Sequence, residues 1–75
     1  MDFAEVVAGV LEVEPTELTD DMGPDQLTAW TSTRHIQLVV TLEEAFRLSF
    51  SYPEIRDVRT IGDLRAVLRS KGAAL

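Results

Sequence analysis

The chain has no cysteine, and this absence excludes whole classes of site. Disulfides and thiolate metal sites cannot form. His35 is the single histidine, so a zinc site built on two histidines is excluded as well. No apolar run approaches the ~18 residues that span a membrane, and no stretch resembles a signal peptide. We therefore expect a cytoplasmic protein without membrane association, in which residues 1–75 form a single domain.

Basic residues are missing from the first 31 positions, which hold eight acidic residues. The remaining positions hold five acids and all seven bases, so the net charge of −6 comes from the N-terminal part. A nucleic-acid site needs clustered Lys or Arg without acidic neighbours, so we expect no nucleic-acid binding. The acids of the first long connection either steer cationic partners or only keep the chain in solution. These acids are Glu17, Asp20, Asp21 and Asp25.

Two segments near the chain ends have apolar residues at helical spacing. In residues 2–13, Asp2 and Glu5 are spaced as in a capping box. In the last segment, Thr60 and Asp63 have the same spacing, and Gly72 is a natural helix end. The apolar positions are Phe3, Val6, Val7, Val10 and Leu11 in the first segment, and Ile61, Leu64, Val67 and Leu68 in the last. Both segments are predicted to be amphipathic helices.

The longest stretch without proline or glycine lies in the middle of the chain, and it contains the consecutive hydroxyl residues Thr31, Ser32 and Thr33. Hydroxyl residues are preferred at helix N-caps. The apolar residues that follow have helical spacing, so we expect a helix of about four turns, roughly 22 Å long, beginning at or next to Ser32. The N-terminus of such a helix accommodates an attached phosphate.

Two connections complete the predicted fold. Residues 14–28 form a long first loop, which Leu18, Met22, Leu27 and Trp30 should anchor to the core. Residues 47–52 form a short extended piece. A short third helix follows from Pro53, packed by Ile55 and Val58. The prediction is an all-α fold: a small four-helix bundle with three longer helices, a short third helix and a long first loop.

Three separated strings of the sequence together resemble one protein family. The central string is Trp30-Thr31-Ser32-Thr33-Arg34-His35-Ile36, continued by Leu42-Glu43-Glu44-Ala45-Phe46. The others are Pro15-Thr16-Glu17-Leu18, which precedes Asp20-Asp21, and Thr60-Ile61-Gly62-Asp63-Leu64. The family that these strings resemble is that of the acyl and peptidyl carrier proteins. It carries a 4′-phosphopantetheine arm on a serine before its second helix, and Ser32 is the matching position. Thr31 stands where the family has Asp, and Thr33 where it has Leu.

The resemblance implies a free-standing carrier protein that is not itself an enzyme. It would hold biosynthetic intermediates as thioesters on a phosphopantetheine arm at Ser32 and shuttle them between enzymes of polyketide, nonribosomal peptide or related secondary-metabolite biosynthesis. The implied partners are a phosphopantetheinyl transferase, which uses coenzyme A, and acyl- or aminoacyl-loading and acyl-processing enzymes. The chain itself would be a monomer. The alternative is an unmodified carrier-like module that binds one partner enzyme, and Thr31 and Thr33 favour that alternative.

Several side chains have a second interpretation that is purely structural. Ser32 is either the attachment site or only a helix N-cap, and Trp30 is either a partner contact or an anchor of the first loop. Ile36 and Val40 belong either to the core or, with Thr33, to a partner-facing surface beside Ser32. His35 is expected to be a partly buried ring near Trp30. A serine hydrolase is not favoured, because His35 has no obvious orienting acid.

Overall fold

The computed structural model describes residues 2–73 and residue 75. This part of the chain contains four α-helices and no β-strand: α1 (Phe3–Leu11), α2 (Ser32–Phe46), α3 (Tyr52–Asp57) and α4 (Ile61–Ser70). A short 3₁₀ turn, Pro15–Glu17, lies within the long first loop. The structure confirms the predicted all-α bundle, with three longer helices, a short third helix and a long first loop. None of the described helices is both long enough and apolar enough to cross a membrane.

The apolar faces of the helices meet in one core. Its fully buried side chains are Val7, Leu11, Leu38, Leu42, Ile61, Leu64 and Leu68. The predicted loop anchors also contact this core: Leu27 and Trp30 are buried, and Leu18 and Met22 are half-buried. Within the described residues no polar or charged side chain is buried.

Helix α1 begins without the capping box that the sequence suggested. Asp2 occupies the N-cap position, but its side chain makes no capping bond to the described residues, so the predicted capping box with Glu5 is wrong. The first turn closes through the backbone instead, because the Val6 N–H donates to the Asp2 carbonyl at 3.0 Å. The helix ends where Glu12 adopts a left-handed conformation, with φ 59°.

The first loop is held against the N-terminus of α4. The first N–H groups of a helix have no partner inside it. In α4 the N–H groups of Ile61 and Gly62 donate to the carbonyls of Met22 and Asp20, at 2.9 and 2.8 Å. Arg65 adds a bond from its Nε to the Asp20 carboxylate at 3.1 Å. Backbone hydrogen bonds thus fix the position of the loop, in addition to its apolar anchors.

Helix α3 begins one residue earlier than predicted because Ser51 and Glu54 form a reciprocal capping box. The Glu54 carboxylate accepts the Ser51 N–H at 2.7 Å, and Lys71 Nζ lies 2.9 Å from the same carboxylate oxygen. The bonds from Lys71 and from Ser51 lower the pKa of Glu54. The contact between α3 and the end of α4 is therefore present at neutral pH and is lost as the pH falls through the lowered pKa.

Helix α4 confirms the predicted glycine at its end and the Thr60 half of the predicted capping box, but not the half in which Asp63 bonds back to Thr60. Thr60 Oγ1 accepts the Asp63 N–H at 3.1 Å, while the Asp63 carboxylate accepts the N–H of Arg59, one residue before the cap. Gly72 has φ 91°, and the N–H of Ala73 donates to the Leu68 carbonyl across it. Such a left-handed turn after a helix favours glycine.

Gly62→Ala should destabilise the protein, because a Cβ at this position would stand 2.9 Å from the Asp20 carbonyl oxygen. That oxygen belongs to the backbone, so the loop has to move. We expect the free energy of unfolding to fall by about 1–3 kcal/mol. Gly9→Ala is the matched control, since nothing lies within 4 Å of its added Cβ. It should stabilise α1 by about 0.5–1 kcal/mol. Urea unfolding measures both, and equal shifts in the two variants would contradict the proposed loop contact.

Candidate functional site

Ser32 is the first residue of α2, and its side chain is exposed. The N-cap is Thr31, whose Oγ1 accepts the N–H of Arg34 at 3.2 Å and whose carbonyl accepts the N–H of His35 at 2.8 Å. The interpretation of Ser32 as the N-cap is therefore wrong, because Thr31 has that role. The Ser32 hydroxyl makes no hydrogen bond to any other residue in the described part of the chain, and it lies where the helix begins.

An open cavity of about 450 Å³ adjoins Ser32. It lies between the first loop and the first turns of α2, and its walls are mostly apolar. The lining residues are Pro24, Trp30, Thr31, Ser32, His35 and Ile36. None of them carries a carboxylate. Its size falls within the range of small-molecule sites, and such sites are likewise mostly apolar with a few polar groups.

His35 joins the end of the first loop to α2 and α3. Trp30 Nε1–H, which can only donate, bonds to His35 Nδ1 at 2.9 Å. The ring proton of a neutral His35 therefore lies on Nε2, which donates to the Ile55 carbonyl at 2.8 Å. The two rings are nearly parallel, with centroids 5.9 Å apart. The prediction of a partly buried ring near Trp30 is confirmed, and the bonds fix one wall of the cavity.

Trp30 is only 4% exposed, and this burial confirms that it anchors the first loop. Trp30 is also one of the residues that line the cavity beside Ser32. Its predicted contact with a partner stays a prediction.

Ile36 and Val40 lie on the surface of α2, with 53% and 46% of their area exposed. Of the two interpretations of this pair, membership of the core is wrong. Leu38, Val39 and Leu42 fill that side of the helix instead. Thr33 is exposed as well. The predicted partner-facing residues are thus accessible near Ser32, and their role in binding stays a prediction.

Arg34 has a structural role that the sequence did not reveal. One guanidinium nitrogen donates to the Val10 carbonyl near the end of α1 at 2.7 Å, and the other lies 3.4 Å from a Glu12 carboxylate oxygen. A cation at the C-terminus of a helix is favourable, because it satisfies a carbonyl that has no partner inside the helix. The positive charge of Arg34 is therefore directed at α1. Because 24 residues separate Arg34 from Val10, no local pattern could have shown it.

No protein-family model matches the chain, and no curated protein sequence matches it. Solved structures do match. One of them, a candidate acyl carrier protein from Mycobacterium tuberculosis, aligns with a TM-score of 0.83 over 92% of this chain and 92% of that chain, at 17% sequence identity. The chain has an acyl-carrier-protein fold. At this identity the likeness concerns the fold, so the function has to be argued from Ser32 and its surroundings.

His35→Phe should loosen the contact between the loop and α3, because it removes the side chain that bonds to both Trp30 and Ile55. Trp30 Nε1–H and the Ile55 carbonyl would lose their bonds, and we expect a loss of about 1–3 kcal/mol in the free energy of unfolding. The fluorescence of Trp30, the only tryptophan, should change in the folded state. Gln37→Phe is the control, because Gln37 is an exposed residue of the same helix. Unaltered stability and emission in His35→Phe would show that these bonds contribute nothing.

Arg34→Gln and Glu12→Gln separate the two contacts of Arg34. Arg34→Gln loses the charged bond to the Val10 carbonyl, which should lower the free energy of unfolding by about 1.5–3 kcal/mol. Glu12→Gln loses only the exposed ion pair, which should lower it by less than about 1 kcal/mol. Thermal or urea unfolding of both variants measures the two losses. Equal losses would mean that the ion pair, rather than the carbonyl bond, holds the two helices together.

Proposed function

We propose that the protein is an acyl or peptidyl carrier whose 4′-phosphopantetheine arm is attached to Ser32 Oγ. The observation that carries this proposal is the place of Ser32, an exposed hydroxyl at the first residue of α2 in an acyl-carrier-protein fold. The arm supplies the thiol that carries acyl groups as thioesters, which a chain without cysteine cannot supply. Ser32 has no activating base of its own, so a transferase has to attach the arm from coenzyme A.

The surroundings of Ser32 fit a phosphate ester. The first turn of α2 offers backbone N–H groups and the positive end of the helix dipole, both of which favour an anion. No carboxylate occurs in the sequence between Asp25 and Glu43, so the start of α2 lacks acidic side chains. The cap itself is the neutral hydroxyl of Thr31. These features support a phosphate at Ser32, held by the backbone of α2.

Carrier function also needs a surface that partner enzymes can recognise and leave. Ile36 and Val40 form an exposed apolar pair one turn apart on α2, next to the exposed Thr33. We assign to these three residues the contact with the transferase and with loading and processing enzymes. Small exposed apolar areas bind weakly, which suits a carrier that must move between enzymes. The biosynthetic setting we propose is polyketide, nonribosomal peptide or related secondary metabolism in the cytoplasm, with a monomeric carrier.

The second candidate function is an unmodified carrier-like module that binds one partner enzyme. Thr31 favours it. Threonine caps α2 through its hydroxyl as well as an Asp would, but it removes a carboxylate from the position next to Ser32. The fold is therefore kept, while the negative charge that the family presents to the transferase is absent.

The mass of the intact chain distinguishes the two functions. Incubation with coenzyme A, magnesium and a broad-specificity phosphopantetheinyl transferase should add one phosphopantetheine to the parent chain and nothing to Ser32→Ala. A carrier protein known to be accepted is loaded in parallel, to show that the transferase is active. If the parent chain gains no mass, the unmodified module is favoured. A mass gain in the Thr31→Asp variant, but not in the parent chain, would then identify the missing carboxylate at position 31 as the reason why the transferase does not load the parent chain.

A further inference from the structure

The cavity beside Ser32 overlaps only partly with the partner-facing residues of α2, because Ile36 lines it and Val40 and Thr33 do not. We propose that this cavity holds the branched apolar part of the arm next to its phosphate, the two methyl groups of the pantoyl unit. The arm would then leave Ser32 toward Pro24 and the first loop, rather than along α2 past Val40. This inference rests on the proposed attachment at Ser32, and it names the residues that receive the arm.

The reach of the attachment supports this direction. Ser32 itself lines the cavity, so any group on its Oγ is tethered at the edge of the cavity. The carbon that bears the two methyl groups is four covalent bonds from that oxygen, a span of at most about 5 Å. A tethered group of this kind meets the cavity walls at a high effective concentration, so it occupies the cavity even if its contacts with the walls are weak.

The chemistry of the walls agrees with an apolar, branched group. Pro24, the Trp30 ring and the Ile36 side chain offer hydrocarbon surface, and the cavity has no carboxylate. Both ring nitrogens of His35 already have partners, so that ring presents no unsatisfied polar atom to the cavity. The phosphate would stay at the mouth, near the first N–H groups of α2. The anionic and apolar parts of the arm thus have separate places.

The walls are also fixed before anything binds. Trp30 is buried and bonded to His35, and His35 is bonded to α3. The loop that carries Pro24 is bonded through the Met22 carbonyl to the start of α4. Little ordering is needed when a group enters a cavity of this kind, so more of the contact energy remains for binding.

Nuclear magnetic resonance of the chain loaded with ¹³C-labelled pantetheine tests the proposal. The two methyl signals should lie upfield of their positions in coenzyme A and should separate from each other, because they face the Trp30 ring. They should show nuclear Overhauser effects to Pro24 and Ile36. Methyl signals at the positions of coenzyme A, or contacts to Val40 and Thr33 instead, would overturn the proposal.

Ile36→Ala and Val40→Ala are a matched pair for this test. Both residues are exposed aliphatic side chains of α2, one turn apart, so both variants should fold alike. Ile36→Ala should move the methyl signals at least halfway back to their positions in coenzyme A. Val40→Ala should leave them unchanged. Equal shifts in the two variants would place the arm along α2 and contradict the assignment to the cavity.

A second attachment keeps the test independent of the transferase. The chain has no cysteine, so Ser32→Cys has a single thiol that can be alkylated specifically. A pantothenamide with a bromoacetyl ester on its terminal hydroxyl places the same two methyl groups one bond farther from residue 32. If the transferase fails but this adduct shows contacts to Pro24 and Ile36, the proposed function is wrong, while the cavity is shown to accept a pantoyl group tethered at residue 32. If the adduct shows no such contacts, the cavity assignment fails.

Discussion

Two hydrogen bonds from the first turn of α4 determine where the first loop lies, and the loop determines the site. The N–H groups of Ile61 and Gly62 need acceptors, and the carbonyls of Met22 and Asp20 provide them. The loop is long, and these bonds add to its apolar anchors. The loop bonded to α4 carries Pro24, which forms one wall of the cavity. Thr31 follows the loop and caps α2, and Ser32 is the first residue after that cap.

The acidic and basic residues are separated along the sequence, but the fold brings some of them together. The acid-rich N-terminal part and the basic C-terminal part are joined by specific pairs. Asp20 contacts Arg65, and Glu12 contacts Arg34. These pairs are exposed, so each contributes little stability by itself. Their effect is to leave the beginning of α2 nearly free of net charge, while Asp21 and Asp25 remain exposed on the loop. Charge-dependent recognition of the protein would therefore involve the loop more than α2.

The helices and the core could be predicted from the sequence because apolar periodicity is local. The caps were harder. Asp2 has the right spacing but does not use its side chain, whereas Ser51 and Glu54, which are spaced as S-x-x-E, form a reciprocal capping box. At the site, Ser32 could be singled out only by resemblance to a family. The cavity beside it could not be predicted, since it needs Pro24 and Ile36 to come together through the fold.

The bonds of His35 affect more than the packing of the loop. Nδ1 of the ring accepts from Trp30 and Nε2 donates to the Ile55 carbonyl, so hydrogen bonds within the protein occupy both nitrogens. The only imidazole of the chain lies next to Ser32, yet it is withdrawn from base catalysis. A reactive acyl group brought near this surface would therefore not be hydrolysed with help from His35. Under the proposed carrier function, the same contacts that shape the wall would also protect a thioester near Ser32 from this imidazole.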